Sequence, residues 1–217
     1  MIDKKDFSQA FIQLKKIVEI QPDFLSPHND LAKLYLIMGE AEKSIEEYKK
    51  LSDLDPENAS VRLSIGNIYS RQGKIDQSIE EYKQVIALAP DSPVGYNELA
   101  YHYAESGTNL DEGLEHALKA AKLAPKEASI LDTLGWVYFK KSNFDKAVES
   151  LKSAVESRPN SPTIRFHLAM AHYKNGDNKN ALTEFKNSLA ISGRFKEAAK
   201  AKEMITLIEN QLNQIQK

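Results

Sequence analysis

Histidines and paired glutamates are the residues of this 217-residue chain that could carry acid–base or metal chemistry. Such chemistry needs the side chains close enough together to share a ligand or a proton. His167 and His172 are five residues apart, which places them on different faces of a helix, and the five histidines are scattered along the chain: His28, His102, His116, His167 and His172. We therefore expect packing or surface roles for the histidines, with no metal and no cofactor.

Two pairs of adjacent glutamates, Glu46 with Glu47 and Glu80 with Glu81, are separated by the same interval as the prolines described below. Their repetition indicates a solvated helix face and not a catalytic dyad. The chain lacks cysteine, a phosphate-binding glycine loop, a nucleophile elbow and an H-E-x-x-H motif. The sequence thus predicts no catalytic residues and no enzyme. The alternative is an enzyme, whose activity is either intrinsic to this chain or carried by a catalytic domain outside this sequence.

The charges of the chain nearly cancel, with 29 Lys and Arg against 31 Asp and Glu and a net charge of -2. This balance offers no overall attraction to nucleic acid or to an anionic membrane. Charges also interrupt every apolar stretch of residues 1–22, so neither a signal peptide nor a membrane span is predicted there. We expect a water-soluble chain without membrane insertion. Its compartment is unknown, either the cytoplasm or, for a fragment of an exported protein, the bacterial periplasm.

Prolines and glycines share one period along the chain, which is about 34 residues. The prolines of the series are Pro22, Pro56, Pro90, Pro125 and Pro159. Gly39, Gly73 and Gly107 repeat the same interval, Gly176 follows two intervals later, and Ser142 with Asn143 holds the skipped position. One extra residue is inserted near Thr108 and Asn109. Because apolar residues recur at helical spacing between these breakers, we predict about a dozen short antiparallel helices and no sheet.

The pattern within each period resembles the tetratricopeptide repeat (TPR), a helical hairpin of about 34 residues. It is clearest in one stretch, which carries Leu131, Leu134, Gly135, Tyr138, Ala147, Leu151, Ala154 and Pro159. The stretch 132–159 looks most like repeats of bacterial proteins. The resemblance implies an all-α fold, a right-handed α-solenoid in which small residues let paired helices approach closely.

By this resemblance residues 1–217 form a single TPR solenoid domain. A half repeat, 1–24, precedes five full repeats: 25–58, 59–92, 93–127, 128–161 and 162–194. Residues 195–217 form an amphipathic capping helix whose apolar stripe comprises Phe195, Ala198, Ala201, Ile205, Ile208, Leu212 and Ile215.

The half repeat has no room for a first helix in this sequence, so its apolar stripe would be partly uncovered. The stripe consists of Phe7, Phe11, Leu14 and Val18. One interpretation is a fragment or a frayed start. The other is a surface through which copies of the chain associate into a homo-oligomer.

In the TPR family, first helices line the concave side of the solenoid, and ligands usually bind there. Carried over by position, the resemblance implies a ligand groove lined by Asn29, Lys33, Asn67, Arg71, Asn97, Tyr101, Asp132, Trp136, Phe139, Lys140, Phe166, Met170 and Tyr173. The asparagines could bond a peptide backbone, and the aromatic residues could receive apolar side chains. Alternatively, some of the aromatic residues, Trp136 and Phe139 especially, pack between adjacent helices.

The predicted function is a noncatalytic scaffold that binds a peptide or protein segment of unknown identity in this groove, without a nucleic-acid partner. Two alternatives are open. One is a structural scaffold that self-assembles through its half repeat. The other is the TPR part of a larger bacterial protein of envelope assembly or polysaccharide export.

Overall fold

The computed structural model describes residues 4–215, and side chains over residues 9–214. In this range the chain is a series of α-helices and turns without a β-strand. The helices are α1 (Lys4–Ile20), α2 (Leu25–Ile37), α3 (Ala41–Leu54), α4 (Ala59–Arg71), α5 (Ile75–Leu88), α6 (Pro93–Ser106), α7 (Leu110–Leu123), α8 (Ala128–Lys140), α9 (Phe144–Ser157), α10 (Pro162–Lys174), α11 (Asn178–Ile191) and α12 (Ala198–Ile215). The all-α prediction is confirmed.

Two compact units, divided between Asp91 and Ser92, make up the chain. Unit 1 contains α1 and the hairpins α2–α3 and α4–α5. Unit 2 contains the hairpins α6–α7, α8–α9 and α10–α11, followed by α12. Each of the five hairpins falls inside one of the repeat ranges given above. A single continuous domain stays a prediction.

The first helix of each hairpin is followed by a residue with a left-handed backbone. Four of these residues are glycines with φ between 70° and 83°: Gly39, Gly73, Gly107 and Gly176. Ser142 takes the same position after α8 with a φ of 60°. The repeat 93–127 contains one extra residue in its turn, and Asn109 in that turn has a left-handed backbone with a φ of 50°. Glycine is preferred here because a Cβ disfavours this conformation.

Several helices begin at a polar side chain that accepts a backbone N–H of the first turn. These N-caps are Asn58, Ser92, Asn143, Ser161 and Asp177. The second helix of each hairpin ends shortly before a proline of the periodic series, or before Gly193 in the last hairpin. Local sequence therefore determines where these hairpins start and stop.

Glycine permits a close contact between α8 and α9 in unit 2. A Cβ built on Gly135 would lie 2.5 Å from Cγ of Leu151, and Leu151 is fully buried. In unit 1 a Cβ on Gly66 would lie 2.8 Å from Cε1 of Tyr82. These contacts confirm that small residues let the paired helices approach.

Apolar residues of neighbouring hairpins pack together into shared cores. In unit 1 the core formed by α2, α3 and α4 contains Ala32, Ile45, Tyr48, Leu51, Val61, Ile65, Ile68 and Tyr69. In unit 2, α12 covers the last hairpin by burying Ala201, Met204 and Ile208 on Phe166, Ala169, Ala181 and Phe185. The opposite face of α12 carries exposed Lys200, Glu203 and Asn210. The predicted stripe lies on the covered side, except that the side chain of Ile215 lies outside the described residues.

A charged pair joins the two helices of three of the five hairpins. Glu47 accepts from His28 at 2.6 Å, Arg62 lies 3.4 Å from Glu81, and Arg165 lies 2.6 Å from Glu184. Each partner is 19 residues before its carboxylate, so the pair is a repeated feature. The predicted solvated face is therefore wrong for Glu47, which is 8% exposed, and for Glu81, whose side chain is 13% exposed. Their neighbours Glu46 and Glu80 are exposed.

Helix α1 packs on α2 and leaves apolar residues in solvent. The ring of Phe11 meets the ring of Tyr35 edge-on, 5.3 Å between centroids. Ile12 and Ile20 are 52% and 77% exposed, and Phe24 in the following turn is 51% exposed. Phe7 lies outside the described side chains. Within residues 4–215, no helix combines the length and hydropathy required to cross a membrane.

Candidate ligand-binding site

Three successive first helices of unit 2 surround a cavity of about 200 Å³. The cavity lies between α6, α8 and α10, and the segment that leads into α12 closes one side. We call it the α6–α8–α10 cavity. Its lining residues are Tyr101, Glu105, Asp132, Trp136, Thr163, Phe166, His167, Lys196 and Glu197.

Trp136 forms the centre of one wall and is itself held on three sides. Its ring stacks on Phe139 at 4.7 Å with an interplanar angle of 3°, and on His167 at 4.2 Å and 20°. Its Nε1–H donates to Oε1 of Glu105 at 2.8 Å. Trp136 is 9% exposed, so the ring contributes a rigid, polar-tipped wall and not a free aromatic surface.

Carboxylates and one ammonium surround the mouth of the cavity. Nζ of Lys196 lies 3.4 Å from Oε2 of Glu105, and this pair joins residues 91 positions apart. Burial would raise the pKa of Glu105, but the hydrogen bond from Trp136 and the charge of Lys196 outweigh it and hold the pKa below its usual value. Burial and the nearby Glu105 raise the pKa of Tyr101.

Deeper in the cavity, His167 and Asp132 form a hydrogen-bonded pair. Nδ1 of His167 lies 2.7 Å from Oδ1 of Asp132, so Nδ1 carries the proton that the carboxylate accepts. Oε2 of Glu197 is buried and accepts no hydrogen bond from any residue that the structure describes. The cavity thus presents more hydrogen-bond acceptors than donors.

The cavity unites four of the groove residues predicted in unit 2, namely Tyr101, Asp132, Trp136 and Phe166. Phe166 is 5% exposed and also contacts Phe185 and Phe195, at 5.7 and 6.2 Å between centroids. The remaining predicted residues lie elsewhere: Asn97 beside Glu98, Phe139 behind Trp136, Lys140 with its Nζ 5.2 Å from the Trp136 ring, and Met170 and Tyr173 against the α12 core.

Unit 1 contains the other four predicted groove residues, and they are not brought together. Asn29 lines a separate open depression of about 450 Å³ with Tyr48, Ser60 and other residues of α2–α4. The Oδ1 atom of Asn67 accepts from the hydroxyl of buried Tyr82 at 2.9 Å. Lys33 and Arg71 are exposed. The carbonyl oxygen of Asn67 therefore has a structural role, which is to accept the hydrogen bond from Tyr82.

The histidines are engaged with different partners. His28 contacts Glu47 and Pro22, His116 lies beside Glu112, and His172 lies 3.2 Å from Asp177. Burial lowers the pKa of His172, although the nearby Asp177 opposes the shift. Among residues 4–215 no three histidine, aspartate or glutamate side chains are grouped as metal ligands.

The comparisons with known proteins agree with this hairpin architecture. The family model described as TPR repeat matches residues 33–73, 66–107 and 135–176, which together are more than half of the chain. The chain belongs to the TPR repeat family. A TPR repeat-containing protein of Pseudomonas aeruginosa is 33% identical over 69 residues, which are 32% of this chain and 12% of that protein. The match thus spans about an eighth of the length of this relative.

Two solved TPR structures share the fold. A chain of the APC/C hetero-tetramer Cut9-Hcn1 has a TM-score of 0.77 and 21% identity, with 94% of this chain and 40% of that chain covered. YrrB, a TPR protein with an unusual peptide-binding site, has a TM-score of 0.64 and 16% identity, with 88% and 97% covered. The predicted fold class, a solenoid of TPR hairpins, is confirmed.

Sequence reasoning missed five residues of this TPR cavity. Glu105 follows Tyr101 by four residues and therefore shares its helix face, so the helical period could have revealed it. Thr163 and His167 flank Phe166 on α10. Lys196 and Glu197 lie in the segment before α12, which has no repeat position, so no family pattern points to them.

Proposed function

We propose that this TPR chain is a noncatalytic scaffold that binds a segment of another protein through the first helices of unit 2. TPR repeats generally mediate protein–protein interaction. Of the two solved relatives, one belongs to a hetero-tetramer and the other has a peptide-binding site. The bound segment would cross α6, α8 and α10 and place a side chain in the α6–α8–α10 cavity.

The convergence of three first helices on one cavity supports this proposal. Tyr101, Asp132 and Thr163 come from α6, α8 and α10, so a segment lying across them would contact three repeats at once. The volume of about 200 Å³ is below the range typical of small-molecule sites, about 300 to 1,000 Å³, and suits a single side chain. Buried Trp136 keeps the wall rigid, which lowers the entropic cost of binding.

Peptide selection tests the proposal directly. Peptides selected from a random displayed library on the immobilised chain would be measured against three variants by isothermal titration calorimetry. Tyr101→Ala removes a wall and Thr163→Tyr fills the cavity, so each should weaken binding about tenfold or more. Glu149→Ala, on the exposed face of α9, is the matched control and should bind normally.

Circular dichroism melting of each variant separates lost binding from lost structure. The proposal is wrong if no peptide is selected, or if the selected peptides bind both cavity variants as tightly as the unaltered chain. A noncatalytic role would be overturned by substrate turnover that a single histidine or aspartate substitution abolishes.

A second candidate, self-association through α1, is favoured by the exposed Ile12, Ile20 and Phe24. Exposed apolar residues often mark contacts between proteins. Light scattering at two concentrations should then show growth of mass with concentration, and Ile20→Lys should abolish it. A constant monomer mass would exclude this candidate.

A further inference from the structure

We infer that the α6–α8–α10 cavity receives a basic side chain, arginine or lysine, of the bound protein segment. This inference rests on the proposed function and specifies the chemistry of its partner. It follows from the charge, the hydrogen-bonding capacity and the walls of the cavity.

The charge of the cavity favours a cation. Glu105, Asp132 and Glu197 contribute three carboxylates, and Lys196 contributes one ammonium group. The lining residues alone have a net charge of -2 with a neutral His167 and of -1 with a protonated His167. Lys140, which lies outside the lining, also acts on Glu105 through its charge. Trp136 and Phe166, which are 9% and 5% exposed, form apolar walls beside these groups, and a charge next to such walls interacts more strongly than it would in bulk solvent.

The hydrogen-bonding groups point the same way. Oε2 of Glu197 is buried without a donor from the described residues, and a buried acceptor left unpaired is costly. Asp132 uses one oxygen for His167, so its other oxygen can accept from a ligand. A guanidinium has five N–H donors and no acceptor, and an ammonium has three donors. A ligand carboxylate would face the carboxylates of Glu105, Asp132 and Glu197, with donors available from Lys196 and from the hydroxyls of Tyr101 and Thr163.

Lys196 shows that a basic side chain can pair with a carboxylate of this cavity. Its side chain reaches from the segment before α12 to Glu105 on α6, yet it is 72% exposed, so it occupies the rim and leaves the interior free. Phe166 and the edge of Trp136 can contact the aliphatic stem of an incoming arginine or lysine, whose charged end reaches the carboxylates. The incoming cation would compete with Lys196 for Glu105.

The test uses free amino-acid derivatives and the single tryptophan of the chain. The indole N–H signal of Trp136 in a ¹⁵N–¹H correlation spectrum reports on the cavity wall. We expect it to move on titration with N-acetyl-arginine amide or N-acetyl-lysine amide up to roughly 50 mM, which exceeds the millimolar Kd of a weak ligand. N-acetyl-citrulline amide, which has the shape of arginine without its charge, should bind about tenfold more weakly.

Substitutions at the adjacent residues Glu197 and Lys196 should have opposite effects on the affinity for arginine. Glu197→Gln removes an acceptor charge and should weaken arginine binding about tenfold, whereas Lys196→Gln removes the competing cation and should tighten it. Lys200→Gln and Glu203→Gln, at an exposed ion pair of α12, are the matched controls and should change the Kd less than about twofold. Added salt should weaken arginine binding and leave the citrulline signal unchanged.

Equal binding of arginine and citrulline, an unaltered Kd in Glu197→Gln, or no movement of the indole signal would each overturn the inference. The proposed function is tested separately. Selected peptides that need the cavity but lack basic residues would refute the basic side chain and leave the scaffold role intact. Failure of the peptide selection would refute the scaffold role, whatever the arginine titration shows.

Discussion

Trp136 in α8 donates its indole N–H to the carboxylate of Glu105 in α6, over 2.8 Å, and thereby joins the first helices of two successive repeats. Trp136 is 9% exposed, whereas the Glu105 side chain is 36% exposed. A hydrogen bond to a charged group contributes about 1.5 to 3 kcal/mol when buried, and partial exposure reduces this value. We expect the bond to stabilise unit 2 by about 1 kcal/mol.

The double-mutant cycle of Trp136→Phe and Glu105→Ala measures this contribution. Trp136→Phe keeps an aromatic ring between Phe139 and His167 but removes the N–H donor. Urea unfolding followed by far-ultraviolet circular dichroism should give a coupling energy of about 1 kcal/mol between the two positions. Additive effects of the two substitutions would show that the bond adds nothing to stability.

The same pair shows why the site could be predicted only in part. The repeat pattern assigns Tyr101, Asp132, Trp136 and Phe166 to first helices, and these four positions do meet at one cavity. The burial of Trp136 depends on Glu105, Phe139 and His167 together. The family pattern nominates neither Glu105 nor His167, and it assigns Phe139 to the groove without indicating that its ring stacks on Trp136. Periodicity identifies a helix face, but the degree of exposure on that face depends on which neighbours cover it.

The fold was more predictable because its main determinants are local. A left-handed residue and a proline interrupt the helices at a fixed period, and even the inserted residue at Asn109 could be located in advance. The charged pair within the hairpins could not be recognised. Its basic partner changes from His28 to Arg62 to Arg165, so the repeated glutamate has no constant motif beside it.

Gly135→Ala should destabilise unit 2 despite the higher helix propensity of alanine. The new Cβ would lie 2.5 Å from Cγ of Leu151 and 3.2 Å from the carbonyl oxygen of Ala147. The propensity gain is at most about 1 kcal/mol, whereas overpacking costs about 1 to 3 kcal/mol. We expect a net loss of about 1 kcal/mol in urea unfolding.

The control for this prediction is the same substitution in a Leu151→Ala background. Leu151→Ala alone should cost about 2 to 5 kcal/mol because the residue is fully buried. With the leucine side chain gone, Gly135→Ala should become neutral or stabilising. A loss of the same size in both backgrounds would mean that the clash with Leu151 is not the cause.

Ser142→Gly should stabilise the α8–α9 hairpin. Ser142 is exposed and has a φ of 60°, where the equivalent turns of other hairpins carry glycine. A left-handed conformation costs about 1 to 2 kcal/mol for a residue with a Cβ, and the greater freedom of glycine in the unfolded chain offsets part of this gain. The expected increase in unfolding free energy is about 0.5 to 1 kcal/mol.

Ser153→Gly, inside α9, provides a control of opposite sign for the same chemical change. Glycine within a helix should lower the unfolding free energy by about 0.5 kcal/mol, since serine has the higher helix propensity. Thermal unfolding of both variants would measure the two changes in stability. Equal effects would indicate that the left-handed backbone of Ser142 is not strained.

Acid should destabilise unit 1 through Glu47. Burial would raise the pKa of this carboxyl, but hydrogen bonds and charge from Lys50 and His28 prevail and hold the pKa below the ordinary glutamate value of 4.5. A lowered folded-state pKa stabilises the protein above the unfolded-state pKa, and this stabilisation is lost as pH falls through the folded-state pKa. Glu47→Gln should therefore lower stability at pH 7 by roughly 1 to 3 kcal/mol and flatten its decline below pH 4.5.

Glu46→Gln is the matched control because Glu46 is the adjacent residue of α3 and is exposed. Urea unfolding across the acid-to-neutral range should give the same pH profile for Glu46→Gln as for the unaltered chain. The Glu47→Gln profile should meet that curve only in acid, where Glu47 of the unaltered chain is protonated as well. If the two profiles run parallel at every pH, the carboxylate of Glu47 does not contribute to stability through its charge, and its contact with His28 is a neutral hydrogen bond.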